Sequence, residues 1–173
     1  MSSVSDGVVV TAGPLDWGGL YERYAGEIAR YLYKATGDKQ VAMDLLHDTF
    51  VNAMSRQNQL RDRARVRPWL YRIATNLAIS DMRRRRRRSW LTVVPARQDD
   101  PAARAAEGDL VRRVLGSLAP HQAVMLVLRE RGFTRDEIAE MSGVSPETVK
   151  SRLARGEANF VAAYRRLERG LVR

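Results

Sequence analysis

The chain has 173 residues, with 30 lysines and arginines against 20 aspartates and glutamates and a formal net charge of +10. That is enough for one ordinary domain or two small ones and too short for a large catalytic barrel. Cysteine is absent and histidine occurs only as His47 and His121, which excludes disulfides, thiolate metal sites, a thiol nucleophile and a multi-histidine metal centre.

Residues 1–14 carry Ser, Gly and short apolar residues without helical spacing and are expected to form a loose leader. The patch Val8, Val9, Val10 is too short for a signal-peptide core, and no stretch approaches the run of about 20 apolar residues that spans a membrane. The expectation is a cytoplasmic protein with no membrane insertion. From residue 15 onward the pattern is helical. Trp17, Leu20, Tyr21, Tyr24, Ile28, Tyr31, Leu32 and Ala35 recur at helical steps up to Gly37, which predicts one apolar stripe and a glycine stop. Asp38 is positioned to cap a second helix with apolar pairs at Val41 and Ala42, Leu45 and Leu46, Thr49 and Phe50, and Ala53 and Met54. Asp44, His47, Asp48 and Asn52 fall to one side of that helix.

A polar connection over 57–67 leads to Pro68, read as a first helical position, and then to Trp69, Leu70, Ile73, Ala74, Leu77 and Ala78 on a third helix. This helix runs into six consecutive arginines, Arg83, Arg84, Arg85, Arg86, Arg87 and Arg88. If it continues through them, six charges crowd within about 9 Å of axial rise, a self-repelling arrangement that phosphates would relieve. The whole charge excess lies here. Residues 56–97 hold 13 arginines and two aspartates, and 27 of the 30 basic residues are Arg, a planar fork suited to bidentate phosphate contact. A polyanionic partner is the first expectation, against a solvated tail or an anionic lipid contact.

Two prolines and no sustained period over 91–106 predict a linker. Beyond it, Leu110, Val111, Val114, Leu115 and Leu118 form one short helix, and Pro120 opens another that carries Val124, Val127 and Leu128 and ends at Gly132. Thr134 and Glu137 have the spacing of a capping box. Ser145 and Pro146 start a further helix in the same spirit. Between these two starts, Ala139 permits close approach, Gly143 can take the left-handed turn, and Val149 and Leu153 can bury under the crossing. This is a helix-turn-helix by mechanism. Its second helix would present Glu147, Thr148, Lys150, Ser151, Ala154 and Arg155 to a major groove.

With both halves in view, the chain resembles a group 4, extracytoplasmic-function (ECF) type, bacterial RNA polymerase sigma factor. AMDLLHDTFVNAM (42–54) resembles the polymerase-binding helix. RPWLYRIATNLAISDMRRRRRR (67–88) resembles the helix that melts and reads the -10 element, and residues 115–160 resemble the domain that reads the -35 element. The resemblance implies an all-α fold of two small helical domains: a leader at 1–14, sigma region 2 at 15–90, a flexible linker at 91–108 and sigma region 4 at 109–173. It implies a non-catalytic specificity subunit that binds core RNA polymerase and promoter DNA, needs no cofactor, is monomeric when free, and is held by an anti-sigma factor.

Carried over position by position, the resemblance places Asp44, His47 and Asp48 on core polymerase. Asn76 is placed on a flipped base of the -10 strand, with the six arginines at 83–88 on the DNA backbone. Thr148, Lys150, Ser151 and Arg155 fall on the -35 element, with Arg152 reaching a phosphate. Trp69 is assigned to the core rather than to stacking. The family has Glu where Met43 stands, Gln at His47, an aromatic at Leu60, and Ala-Arg at Gly156 and Glu157. A mid-helix glycine costs about 1 kcal/mol against alanine, so a weakened or tilted -35 contact is expected there. Two other functions fit parts of the chain. A helix-turn-helix repressor or activator would use residues 134–157 without polymerase. A nuclease would hold a metal ion on Asp44, Asp48 and His47.

Overall fold

Capping chemistry sets the ends of the first two helices. Asp16 accepts from Gly19 N at 3.0 Å to open α1 (Trp17–Thr36), and Gly37 closes it in the left-handed conformation at φ 74°. Asp38 then accepts from Val41 N at 3.0 Å and opens α2 (Lys39–Ser55). The computed structural model describes residues 15–91 and 106–171. The expected leader and most of the expected linker lie outside these residues.

Two single turns of 3-10 helix, Gln57–Gln59 and Arg63–Arg65, shape the connection to α3 (Val66–Leu91). Helix α3 starts two residues earlier than expected, so Pro68 is its third residue rather than its first. The missing N–H is tolerated there, because the first four helical N–H groups have no partner within the helix. As the spacing suggested, α3 runs unbroken through the arginines.

The second half comprises α4 (Ala106–Ser117), α5 (Pro120–Glu130), α6 (Arg135–Ser142) and α7 (Pro146–Leu171). Helix α4 begins three residues before the expected edge of the second domain. Both halves of the capping box are present: Thr134 Oγ1 accepts from Glu137 N at 3.3 Å, and Glu137 Oε2 accepts from Thr134 N at 2.8 Å. Gly143 takes φ 65°, and Ser145 Oγ accepts from Thr148 N at 3.2 Å. Val149 and Leu153 are buried beneath the α6–α7 crossing. The helix-turn-helix is thus built by the residues that announced it.

In the first half, α1, α2 and α3 pack pairwise around Ile28, Tyr31, Leu32, Leu46, Leu70 and Tyr71. A buried hydrogen bond of 2.8 Å joins the hydroxyls of Tyr31 and Thr75 across α1 and α3. In the second half, α7 lies along α5 and α4, burying Val114, Val124 and Leu128. The two halves also touch, because α3 packs on α5 and α6, and α1 on α4 and α5. Phe133, in the turn between α5 and α6, meets Tyr71 edge to face at 4.7 Å, and the Arg67 guanidinium lies 4.5 Å from its ring centre. One apolar cluster extends through both halves, and a second, of Leu110, Val114 and Ala163, lies between α4 and α7.

Candidate polymerase and nucleic-acid interfaces

Helix α2 buries Ala42, Leu45, Leu46, Thr49, Phe50 and Ala53, and its opposite side carries Asp44, His47 and Asp48, all exposed. Met43, Val51 and Met54 are exposed on the same helix, at 44%, 57% and 49% of full accessibility. Met54 was expected to pair with Ala53 in the core and instead faces out. The surface is therefore mixed, an acidic patch with apolar neighbours, which suits a partner helix carrying arginines and aliphatic side chains. Sequence reasoning missed the apolar members, although Met43, His47, Val51 and Met54 stand at helical spacing. Asp44 accepts from Gln40 Nε2 at 3.0 Å, and the Asp48 main-chain oxygen accepts from Asn52 Nδ2 at 2.8 Å. Among the described residues, no three acidic or histidine side chains converge in a way that could hold a metal ion.

On α3 the exposed residues Arg72, Asn76, Ser80, Arg83 and Arg87 follow one another at three- and four-residue steps and so share one face. Asn76 offers a donor and an acceptor to that face. Arg72 was not singled out from the sequence, yet it stands one turn before Asn76. Trp69, one step further back, is half-buried and packs on the core, while its rim lines a cleft of about 280 Å³ together with Leu60, Arg61, Arg65 and Arg72.

The six arginines are not equivalent. Asp81, 8% exposed, is paired with Arg84 at 2.8 Å and Arg85 at 2.6 Å. Arg86 donates to the main-chain oxygens of Ser117 and Leu118 at 2.9 and 2.8 Å, at the C-terminal end of α4, where the helix dipole favours a cation. Arg83, Arg87 and Arg88 are exposed. Arg84, Arg85 and Arg86 thus have internal partners that the sequence reading did not assign.

Along α7, Lys150, Ser151 and Arg155 are exposed, whereas Thr148 and Arg152 are half-buried. Lys150 lies 3.6 Å from Glu147, and Arg155 Nε donates to the Ser151 main-chain oxygen at 3.3 Å. Gly156 is buried, and a Cβ added there would stand 3.4 Å from Gln122 Cβ and 3.5 Å from Leu126. The glycine therefore sits where α7 crosses α5 closely. Glu157 pairs with Arg129 of α5, so its charge is engaged inside the domain. Gly156 thus has a packing role and Glu157 a partly exposed ion pair, both between α7 and α5.

His121, near the start of α5, has its pKa lowered by burial and then by the positive charges of Arg152, Arg83, Arg155 and Arg86. Two of these arginines belong to α3 and two to α7. The basic ends of the two candidate DNA helices therefore act on one imidazole.

Comparison with known proteins places both halves of the chain in one family. Residues 20–88 match the family model described as Sigma-70 region 2, and residues 108–159 match Sigma-70, region 4. RNA polymerase sigma factor YlaC of Bacillus subtilis is 31% identical over 146 residues, covering 79% of this chain and 84% of that protein. ECF RNA polymerase sigma factor SigL of Mycobacterium tuberculosis is 31% identical over 145 residues, covering 78% and 80%.

Two solved structures share the fold. The sigma factor RpoE of Bartonella quintana, in complex with the anti-sigma factor NepR, superposes with a TM-score of 0.70 over 87% of this chain and 97% of that one, at 21% identity. CnrH, in complex with the cytosolic domain of CnrY, gives 0.63 over 84% and 85%, at 27% identity. With both sigma regions present in order, and with relatives matched over most of their length, the chain belongs to the extracytoplasmic-function branch of the sigma-70 family: it is a non-enzymatic sigma factor that directs RNA polymerase to promoters.

Proposed function

We propose that the exposed face of α2, with Asp44, His47 and Asp48, docks on core RNA polymerase, that the Asn76 face of α3 opens and reads the -10 element, and that α7 reads the -35 duplex. The observation that carries this division is the placement of three chemically distinct exposed faces on three separate helices: acidic on α2, amide and guanidinium on α3, and Lys150, Ser151 and Arg155 on the helix-turn-helix. Acidic side chains suit an arginine-bearing partner helix. An amide both donates and accepts on a base edge. The recognition helix of a helix-turn-helix reaches bases from its exposed side, and Arg152 reaches a phosphate at the groove's rim.

Melting in this reading is driven by binding energy alone. Unstacking and extruding a base costs a few kcal/mol, which contacts to the base at Asn76 and phosphate contacts from Arg83, Arg87 and Arg88 offset. Arg84, Arg85 and Arg86 join them when the backbone competes successfully with Asp81 and the α4 carbonyls. The protein works in the cytoplasm, where the polymerase is, as a monomer until it binds. Among the described residues no helix is long and apolar enough to cross a membrane. An anti-sigma factor regulates it, a reading supported by the two structural neighbours, one solved with an anti-sigma factor and the other with the cytosolic domain of CnrY.

The test is run-off transcription on fragmented genomic DNA of the source organism with its sigma-free core polymerase, with and without the protein. Discrete new 5′ ends sharing two upstream motifs are expected. Reversing Asp44 and Asp48 together to lysine should abolish them while leaving duplex binding by α7 intact. Specific duplex protection by the protein alone, with no new start sites, would instead make the chain a polymerase-independent regulator.

A further inference from the structure

Helix α5 begins between the basic parts of two other helices. On one side, Arg86 of α3 donates to the main-chain oxygens of Ser117 and Leu118 at 2.9 and 2.8 Å, just before Pro120 opens α5. On the other, α7 is pinned to the same turn: Asn159 Nδ2 donates to Gln122 Oε1 at 3.2 Å, and a Cβ added at Gly156 would stand 3.4 Å from Gln122 Cβ. Arg83 lies one turn before Arg86 on α3, and Arg152 and Arg155 stand within about one turn of Gly156 on α7, three-residue steps that keep each pair on one side of its helix. The two pairs meet at His121, the neighbour of Gln122. We propose that Arg83, His121, Arg152 and Arg155, with the anchored charge of Arg86 behind them, bind a small oligophosphate, either an inorganic polyphosphate chain or the triphosphate of a nucleotide.

The charge at this place is uncompensated. Among the described residues no carboxylate pairs with Arg83, Arg152 or Arg155, whereas Asp81 takes Arg84 and Arg85, and Glu157 takes Arg129. Arg83 and Arg155 are exposed and Arg152 and His121 half-buried, so a ligand from solvent reaches all four. Burial and then the four guanidinium charges hold the imidazole below its ordinary pKa of 6.5, a field that repels a further cation and attracts an anion. Each guanidinium fork suits two phosphoryl oxygens at a time. The start of α5 adds to the field, because Ala119 supplies no side-chain cap and the N–H groups of a first turn carry partial positive charge.

The same arrangement selects a compact ligand. A DNA strand offers one charge per nucleotide, spread along its length. Linked phosphoryl groups bring several charges to a span that one cluster can surround, and here the donors come from three helices to one point. The site does not depend on the DNA-binding faces proposed above, but its regulatory consequence does. Arg83 serves the -10 strand and Arg155 the -35 duplex in that reading, so an occupied site withdraws a cation from each and promoter binding weakens as it fills.

The test titrates the full chain with inorganic tripolyphosphate by calorimetry, at fixed ionic strength and without divalent cations. Saturable one-to-one binding is expected, with orthophosphate at least about tenfold weaker. Arg83→Gln with Arg155→Gln should weaken tripolyphosphate binding at least about tenfold, the loss of two charge-assisted contacts. Arg165→Gln with Arg169→Gln removes the same charge from exposed positions late in α7 and should change it by less than about twofold, because distant charges are screened. A second reading needs no substitution: saturating tripolyphosphate should raise the pKa of His121, followed by the proton resonances of the imidazole, since an anion favours the charged ring. The signal of His47, on α2, should not respond to the ligand.

Equal losses in the two double variants, or a His121 titration indifferent to saturating ligand, overturn the site. Equal binding of orthophosphate overturns the preference for a phosphate chain. ATP and GTP titrated in parallel identify the source: affinities equal to that of tripolyphosphate uphold a site for the chain alone, and tighter ones uphold a nucleotide site. Tripolyphosphate should also displace a fluorescent single-stranded oligonucleotide from the unmodified protein. Binding at His121 without displacement leaves the site standing and overturns the assignment of Arg83 to the -10 strand.

Discussion

Replacing Asp81 with asparagine removes the one acidic residue of α3, two positions before six arginines. The carboxylate is 8% exposed, while the side chains of its partners Arg84 and Arg85 are 60% and 35% exposed. Breaking a fully buried pair costs about 3–5 kcal/mol and breaking an exposed one about 0–1. Here the acid is buried and both guanidiniums can return to water, so the expected loss is about 1–2 kcal/mol. Part of that loss is repulsion within the arginine run. Because the Debye length falls from about 10 Å at 0.1 M salt to about 3 Å at 1 M, urea unfolding should show a deficit that shrinks by half or more in 1 M NaCl. The same substitution frees two guanidiniums for phosphate, so the salt dependence of DNA binding should steepen by about 0.9 in log–log slope for each new contact. A variant as stable as its parent would refute the reasoning. So would one equally destabilised at both salt concentrations with an unchanged DNA slope.

Asn76→Ala should leave polymerase binding intact and cut open-complex formation about tenfold, the worth of one good base contact; permanganate reactivity at the melted thymines reads it directly. For His121, whose folded pKa lies below the ordinary value of 6.5, the unfolded chain binds more protons as pH falls through 6.5. Stability is therefore full above that pH and declines below it, and His121→Gln should flatten the decline in urea midpoints between about pH 7.5 and 5.5. Gly156→Ala places a Cβ at ordinary contact distance from Gln122 and Leu126 and should stabilise the fold by about 0.5–1 kcal/mol. Gly156→Leu, with no room at that crossing, should lower the melting temperature and weaken -35 binding by tilting α7.

Features written locally were legible. Gly37, Asp38, the Thr134 and Glu137 box, Gly143 and Ser145 act on backbone within a few residues of themselves, so sequence distance and spatial distance agree. The helical stripes likewise announced which faces would be buried. They could not announce which partner would cover them, and the seam between the halves was invisible for that reason. Phe133 stands alone in a turn, without periodicity, and only its position beside Tyr71 and Arg67 gives it meaning. Gly156 reads as a helix flaw until α5 is laid against it. Arg84 and Arg85 stand three and four residues after Asp81, a signal in plain view that the run of like charge drew attention away from.

Arg86 has a consequence for any affinity measured on the intact chain. Its guanidinium grips the carbonyls of Ser117 and Leu118, and a phosphate can take it only by displacing them. DNA and the C-terminal end of α4 are therefore rival ligands of one cation, and by reciprocity each weakens the other's hold on it by the same factor. A dissociation constant obtained with the free protein is then a composite. It contains the intrinsic attraction of α3 for nucleic acid diminished by the work of taking Arg86 from those carbonyls.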